Sequence, residues 1–326
     1  ETIGAAVVPP EGTSKMEVIL RLQGLLGVQP MIVECPNVMT ISLGNPGQVI
    51  HPGVTYGKWK DWDEQPLKAK PLFYHGVDDA TAEVLEGISD DIRGICRALE
   101  PMAVDTSQVK TIFEWYMASY SDSITDSSSL KAAMNTNTAY EGLCHPMKEV
   151  DGRYVPDFQF RYLSEDTYTT KDIMQQTKKD SQFGQEVEVM NDKLKELQDQ
   201  VNALSQAARD YADRSIFGEL FFRSNLTKDV PTGLCFTKGV AELLGVQTAT
   251  IDVVLKWAQG KLGKEFLTDA NKMAGKDIAE TRAPQAYGVK TRADLKKFLS
   301  NETKASASKK EPRRSPATAS CMPCFR

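Results

Sequence analysis

The chain has 326 residues, of which 41% are apolar, and a net charge of -5. That length buries a substantial core and permits two domains, while so weak an acidic balance supplies no field that would draw the protein to nucleic acid. No run approaches the ~18 consecutive apolar residues of a bilayer-spanning helix.

Six cysteines at positions 35, 96, 144, 235, 321 and 324 are scattered in the manner of a reducing compartment, so an intracellular, cytoplasmic protein is expected and not a disulfide scaffold. The first residue is Glu1 and no basic-then-apolar leader follows, which points to a processed chain or a piece of something longer. Residues 1–50 read as the remnant of an α/β domain. β-like runs at 3–8, 31–35 and 38–43 accompany one helical stripe of Met16, Ile19, Leu20, Leu22, Leu25 and Leu26, with Ser14 as N-cap and Gly27 as C-cap. No Gly-x-Gly-x-x-Gly turn follows a strand, the device that brings backbone against a pyrophosphate, so the nucleotide-binding domain is expected to be absent from this chain.

Residues 51–166 and 229–299 read as two parts of a helical substrate domain. Ala82, Val84, Leu85, Ile88, Ile92 and Ile95 recur at three- and four-residue spacing, as do Ile112, Trp115, Tyr116, Ser119 and Tyr120, and later Leu234, Gly239, Leu243, Ile251, Val254, Leu255 and Ala258. The second part is expected to begin at Asp229 as N-cap, with Pro231 in the first turn. Between them, residues 167–228 look foreign. Phe183, Val187, Met190, Leu194, Leu197, Val201, Leu204, Ala208 and Tyr211 form a heptad seam over 183–211. It predicts either a coiled-coil-like helix or hairpin that meets a protein partner, or an amphipathic helix docked on its own body. Ile216, Phe217, Leu220, Phe221 and Phe222 extend it as an apolar patch that needs cover. Residues 300–326, with Lys309, Lys310, Arg313 and Arg314, read as a disordered basic tail and a second docking element. Cys321 and Cys324 supply only two of the four ligands a zinc site requires, and their placement excludes a prenylation signal while allowing acylation.

Three histidines confine the search for a group that exchanges protons near neutral pH. His51 leads because it lies between the apolar pair Val49-Ile50 and Pro52-Gly53, where an element is expected to end against a turn and face a cleft. His75 and His145 are the weaker candidates.

The block Ile50-His51-Pro52-Gly53-Val54-Thr55-Tyr56-Gly57-Lys58-Trp59 resembles the C-terminal, substrate-binding domain of the opine dehydrogenases, the octopine dehydrogenase family. Asp157-Phe158-Gln159-Phe160-Arg161-Tyr162-Leu163-Ser164-Glu165-Asp166 and Asp229-Val230-Pro231-Thr232-Gly233-Leu234 read as one motif of that family, interrupted by the insertion. Further similar blocks are Asn135, Asn137, Tyr140, Glu141 and His145-Pro146-Met147, then Gly263-Lys264-Glu265-Phe266-Leu267, and Thr281-Arg282-Ala283-Pro284-Gln285-Ala286-Tyr287-Gly288. The resemblance implies a mainly α, 6-phosphogluconate-dehydrogenase-like C-terminal domain with a short α/β remnant and an inserted long helix or helical hairpin. It also implies reductive condensation of pyruvate or another 2-oxo acid with an amino acid, with NAD or NADP as the hydride carrier. Under it His51 and an aspartate form the dyad, Arg161 clamps a substrate carboxylate, and Trp115 lines the amino-acid pocket. The aspartate is Asp229 or Asp166: Asp166 keeps the spacing from Arg161, whereas Asp229 keeps the Val-Pro junction and is favoured because the helix it caps would hold it. One departure is Gly47, which stands where relatives often place an asparagine a turn before the histidine.

Two function classes follow. One is an opine dehydrogenase whose cofactor domain lies elsewhere, so that this chain alone does not turn over. The other is a pseudoenzyme that serves as the scaffold of a large assembly, with the heptad helix and the basic tail as its binding equipment.

Overall fold

The computed structural model describes residues 2–7, 13–28, 31–159 and 225–307. Arg161, Asp166, the heptad seam and the last nineteen residues lie outside them, as does nearly all of the insertion.

Strand β1 (Thr2–Ala5) pairs in parallel with β2 (Met31–Glu34), and α1 (Lys15–Leu26) connects them. The helix starts where Ser14 Oγ accepts the Glu17 N–H, and Gly27 ends it at a φ of 81°. The third β-like run does not form a strand. Residues Val38–Leu43 are helix α2, because Asn37 accepts the Thr40 N–H and so nucleates a helical turn.

The body of the protein is helix-rich. Helix α3 (Gly47–Trp59) packs along α4 (Asp79–Leu99), followed by α5 (Ile112–Tyr120) and α6 (Leu130–Thr136). The α4 stripe is buried as its periodicity requires, with Leu85, Ile88 and Ile95 fully enclosed. A short hairpin, β3 (Met147–Val150) against β4 (Arg153–Pro156), follows, and it interrupts the helical pattern read from sequence. Its turn is Asp151-Gly152, both at positive φ, as a two-residue hairpin turn demands.

After the undescribed segment come α7 (Asn225–Asp229), a single π turn at Val230–Leu234, α8 (Cys235–Leu244), α9 (Ala249–Leu262) and α10 (Arg292–Ala307). The N-terminus of α9 is capped from another helix: the Asp91 carboxylate of α4 accepts the Thr250 and Ile251 N–H groups at 3.0 and 2.9 Å. Burial raises the pKa of that carboxyl, against the lowering effect of these two bonds. Helix α10 runs on through Ala307, past the point where a disordered tail was expected to begin, because Leu295 and Leu299 anchor its first turns in the core. No helix among the described residues is long and apolar enough to cross a membrane.

Candidate active site

His51 does not end an element against a turn. It sits inside α3, which continues through Pro52. A proline at the sixth helical position removes one intrahelical donor, and the helix survives because its apolar face is clamped in the core through Val49, Ile50 and Val54. Thr55 Oγ1 donates to the His51 carbonyl at 2.7 Å, which stiffens the next turn.

Asp229 is not an N-cap either. Its backbone is helical, at φ -76° and ψ -22°, and its side chain makes no cap bond. Pro231 has no N–H for the carbonyl one turn before it, and the chain widens at that point into the π turn, closed by the Cys235 N–H on the Val230 carbonyl. Such single π turns recur at functional sites. The Arg282 N–H holds the turn from behind by donating to the Pro231 carbonyl at 2.9 Å, which gives the 281–288 block a structural place.

The freed carboxylate points at α3. His51 Nδ1 lies 2.6 Å from Asp229 Oδ2, across 178 positions of sequence, with the two side chains 19% and 11% exposed. An ionised carboxylate only accepts, so this bond fixes the proton on Nδ1. An imidazole oriented by a carboxylate can exchange a proton at its other nitrogen, which is the arrangement of a general acid–base dyad. Of the two aspartates left open by the sequence, Asp229 is the one the described structure brings to His51. Asp166 and Arg161 fall among the undescribed residues.

Aromatic side chains wall the dyad. The Phe73 ring meets His51 edge-on at 6.0 Å, Tyr74 packs on Phe73 at 5.0 Å, and Tyr74 stacks on Tyr140 at 4.2 Å. The Tyr140 hydroxyl is hydrogen-bonded to that of Tyr120, and Trp115 packs on Tyr120 at 5.6 Å. Trp115 is half-buried on α5 at one end of this aromatic tract. Burial pushes the Tyr74 phenol well above its usual range, and the neighbouring Tyr140 hydroxyl adds to the effect.

The other histidines have different work. His145 is fully buried, its Nδ1 accepts from Trp59 Nε1 at 3.1 Å, and burial depresses its pKa to about 3, with the nearby Lys58 charge assisting. His75 Nε2 donates to the Asn137 carbonyl at 2.9 Å. Asn135 is likewise structural, since its amide donates to the Val77 and Lys131 carbonyls. No group of three or more His, Cys, Asp or Glu side chains that could hold a metal occurs among the described residues.

Residues 34–177 match the profile of the NAD/NADP octopine/nopaline dehydrogenase alpha-helical domain. The opine dehydrogenase of Haliotis discus hannai is 34% identical over 273 residues, which are 83% of this chain and 51% of that one. The chain is similar to the opine dehydrogenases. The tauropine dehydrogenase of Arabella iricolor is 32% identical over 280 residues, covering 85% of this chain and 54% of that enzyme. An octopine dehydrogenase solved with NADH and L-arginine superposes with a TM-score of 0.66 at 27% identity, over 96% of this chain and 60% of that one. A second, with NADH and agmatine, gives 0.61 at 28% identity, over 91% and 56%. The chain therefore spans about half the length of the curated relatives it matches.

Sequence reasoning missed Gln48, Thr237 and the Arg282–Pro231 bond. Gln48 carried a readable signal, being a polar residue on the buried face of α3, whereas the Arg282 bond is made by backbone and leaves no trace in residue type.

Proposed function

We propose that this chain is the substrate-handling part of an NAD(P)H-dependent opine dehydrogenase, with His51 and Asp229 as its acid–base dyad. The observation that carries the reading is the 2.6 Å contact between His51 Nδ1 and Asp229 Oδ2, made by two residues that stand in the motifs shared with the family. In the reaction an amino acid adds to the carbonyl of a 2-oxo acid, the resulting carbinolamine loses water to give an imine, and a hydride reduces the imine carbon. The His51 imidazolium protonates the departing oxygen through Nε2, while Asp229 holds the ring in the required tautomer and stabilises its charged form. Arg161 is assigned to the substrate carboxylate on the strength of its motif alone, since a guanidinium grips a carboxylate by two parallel hydrogen bonds.

The octopine dehydrogenases that this chain superposes on were solved with NADH, so NADH is the hydride donor assigned to the reaction. The part assigned to the described residues is positioning and proton transfer. The alternative of a scaffold gains no specific observation. It rested partly on the insertion splitting the catalytic segment, yet Asp229, on the far side of that insertion, reaches His51.

The test is NADH oxidation with pyruvate and a panel of amino acids, by this chain joined to a nucleotide-binding domain. His51→Gln is expected to lower turnover ~10²- to 10⁴-fold, the range for losing a general acid. Asp229→Asn is expected to follow it, while Asp166→Asn stays near the parent rate. A parent rate in His51→Gln removes the dyad from the mechanism.

A further inference from the structure

Gln48 is completely enclosed and stands on α3 one turn before His51. Its Nε2 donates to two carbonyls at the end of α2, Ser42 at 2.7 Å and Leu43 at 3.3 Å. Its Oε1 accepts from the Thr237 hydroxyl of α8 at 2.7 Å. The π turn lies directly against it, because a Cβ added at Gly233 would come within 2.5 Å of Gln48 Cβ. One side chain therefore ties together α2, the helix that carries His51, and the segment that runs on from Asp229.

Packing alone does not call for a glutamine here. The same junction is filled by Val49, Ile50, Leu226, Val230 and Leu234, all buried, and an apolar side chain of similar volume would avoid the cost of burying an amide. What the amide adds is direction. Apolar contacts let a helix turn or slide by a few tenths of an ångström at little cost, whereas three hydrogen bonds with fixed donors and acceptors do not. A hydrogen bond of 2.6 Å between groups on two different elements requires that stiffness, since displacement by a fraction of an ångström weakens it.

We infer that Gln48, with Thr237 as its partner, is a positioning residue that sets the His51–Asp229 separation. It touches no reactant and acts only through the dyad. This rests on reading His51 and Asp229 as that dyad.

The test is proton NMR of the full 326-residue chain. An imidazole N–H held tightly by a carboxylate resonates far downfield and is slow to exchange with water, and His51→Gln assigns the signal by its disappearance. Gln48→Met keeps the length and the contact with Gly233 but removes all three bonds. It is expected to abolish the His51 signal, while the thermal unfolding transition remains cooperative. Thr237→Val is nearly isosteric, removes a single bond, and is expected to shift the signal upfield and speed its exchange with water. It also serves as the second variant should Gln48→Met fail to fold. An unchanged His51 signal in Thr237→Val and in any folded Gln48→Met overturns the positioning role and leaves the dyad standing. Absence of the signal from the unsubstituted chain overturns the dyad and the positioning role together.

Discussion

His51 and His145 both pack on the Phe73 ring, at 6.0 and 4.7 Å, in different surroundings. His51 keeps a carboxylate partner and partial exposure, while His145 is buried and accepts from an indole N–H. The unfolded chain takes up a proton on His145 as the pH falls below 6.5, but the folded chain does not until about 3. The unfolded state therefore binds more protons throughout that window, so stability falls as the solution is acidified, by up to ~1.4 kcal/mol per pH unit. His145→Asn is expected to flatten the pH dependence of denaturant unfolding between those limits, and an unchanged slope would show that the ring protonates in the folded state. At this scale His51 was legible in the sequence because histidines are few and its block is specific. The aspartate was not decidable, since Asp166 and Asp229 both fit the motif; the structure brings Asp229 to His51, and Asp166 lies outside the described residues. The dyad assignment makes the catalytic prediction stated above for His51→Gln, and the Gln48 inference belongs to this scale as well.

Between elements, the approach of α3 to α4 decides where His51 points. Gly57 lies so close to α4 that a Cβ would come within 2.4 Å of Thr81 Oγ1 and 2.8 Å of Thr81 Cβ. Helix propensity favours alanine over glycine by ~1 kcal/mol, yet the threonine cannot swing clear because its own β-carbon is in the way. Overpacking of this kind costs about 1–3 kcal/mol, so Gly57→Ala is expected to be destabilising on balance. Gly24→Ala on α1, where nothing lies within 4 Å, is expected to be stabilising by about 1 kcal/mol. Urea unfolding of the two variants checks the contrast, and a stabilising Gly57→Ala would mean the helices move apart without loss. Several element signals were present in the sequence and unread: Asp151-Gly152 is a hairpin turn, and Thr111 and Glu114 form a capping box with both reciprocal bonds. Asp229 was read as a cap because a lone Asp before Pro matches that pattern. The structure instead gives its carboxylate a partner on another helix.

Across the whole molecule, the β1–α1–β2 unit is the least covered part of the described structure. Ile19 and Cys35 are buried there, while Leu20 is 62% and Leu25 84% exposed. Since neither leucine is enclosed among the described residues, Leu20→Lys and Leu25→Lys are expected to change unfolding free energy by no more than about 0.5 kcal/mol. Sedimentation velocity is expected to show less self-association for both, as the apolar patch shrinks. A large loss of stability would mean instead that the stripe packs on residues outside the described segments. The helical periods of α1 and α4 were legible in the sequence alone, because a helix face follows from local spacing, although of the α1 stripe only Ile19 is buried. That Asp229 meets His51, that His145 is neutral, and that Gln48 bridges α2 to α8 were decided only by the tertiary structure. Each of these depends on what stands within about 3 Å in space, and the partners are separated by up to 189 positions along the chain, a distance over which residue type carries no geometric information.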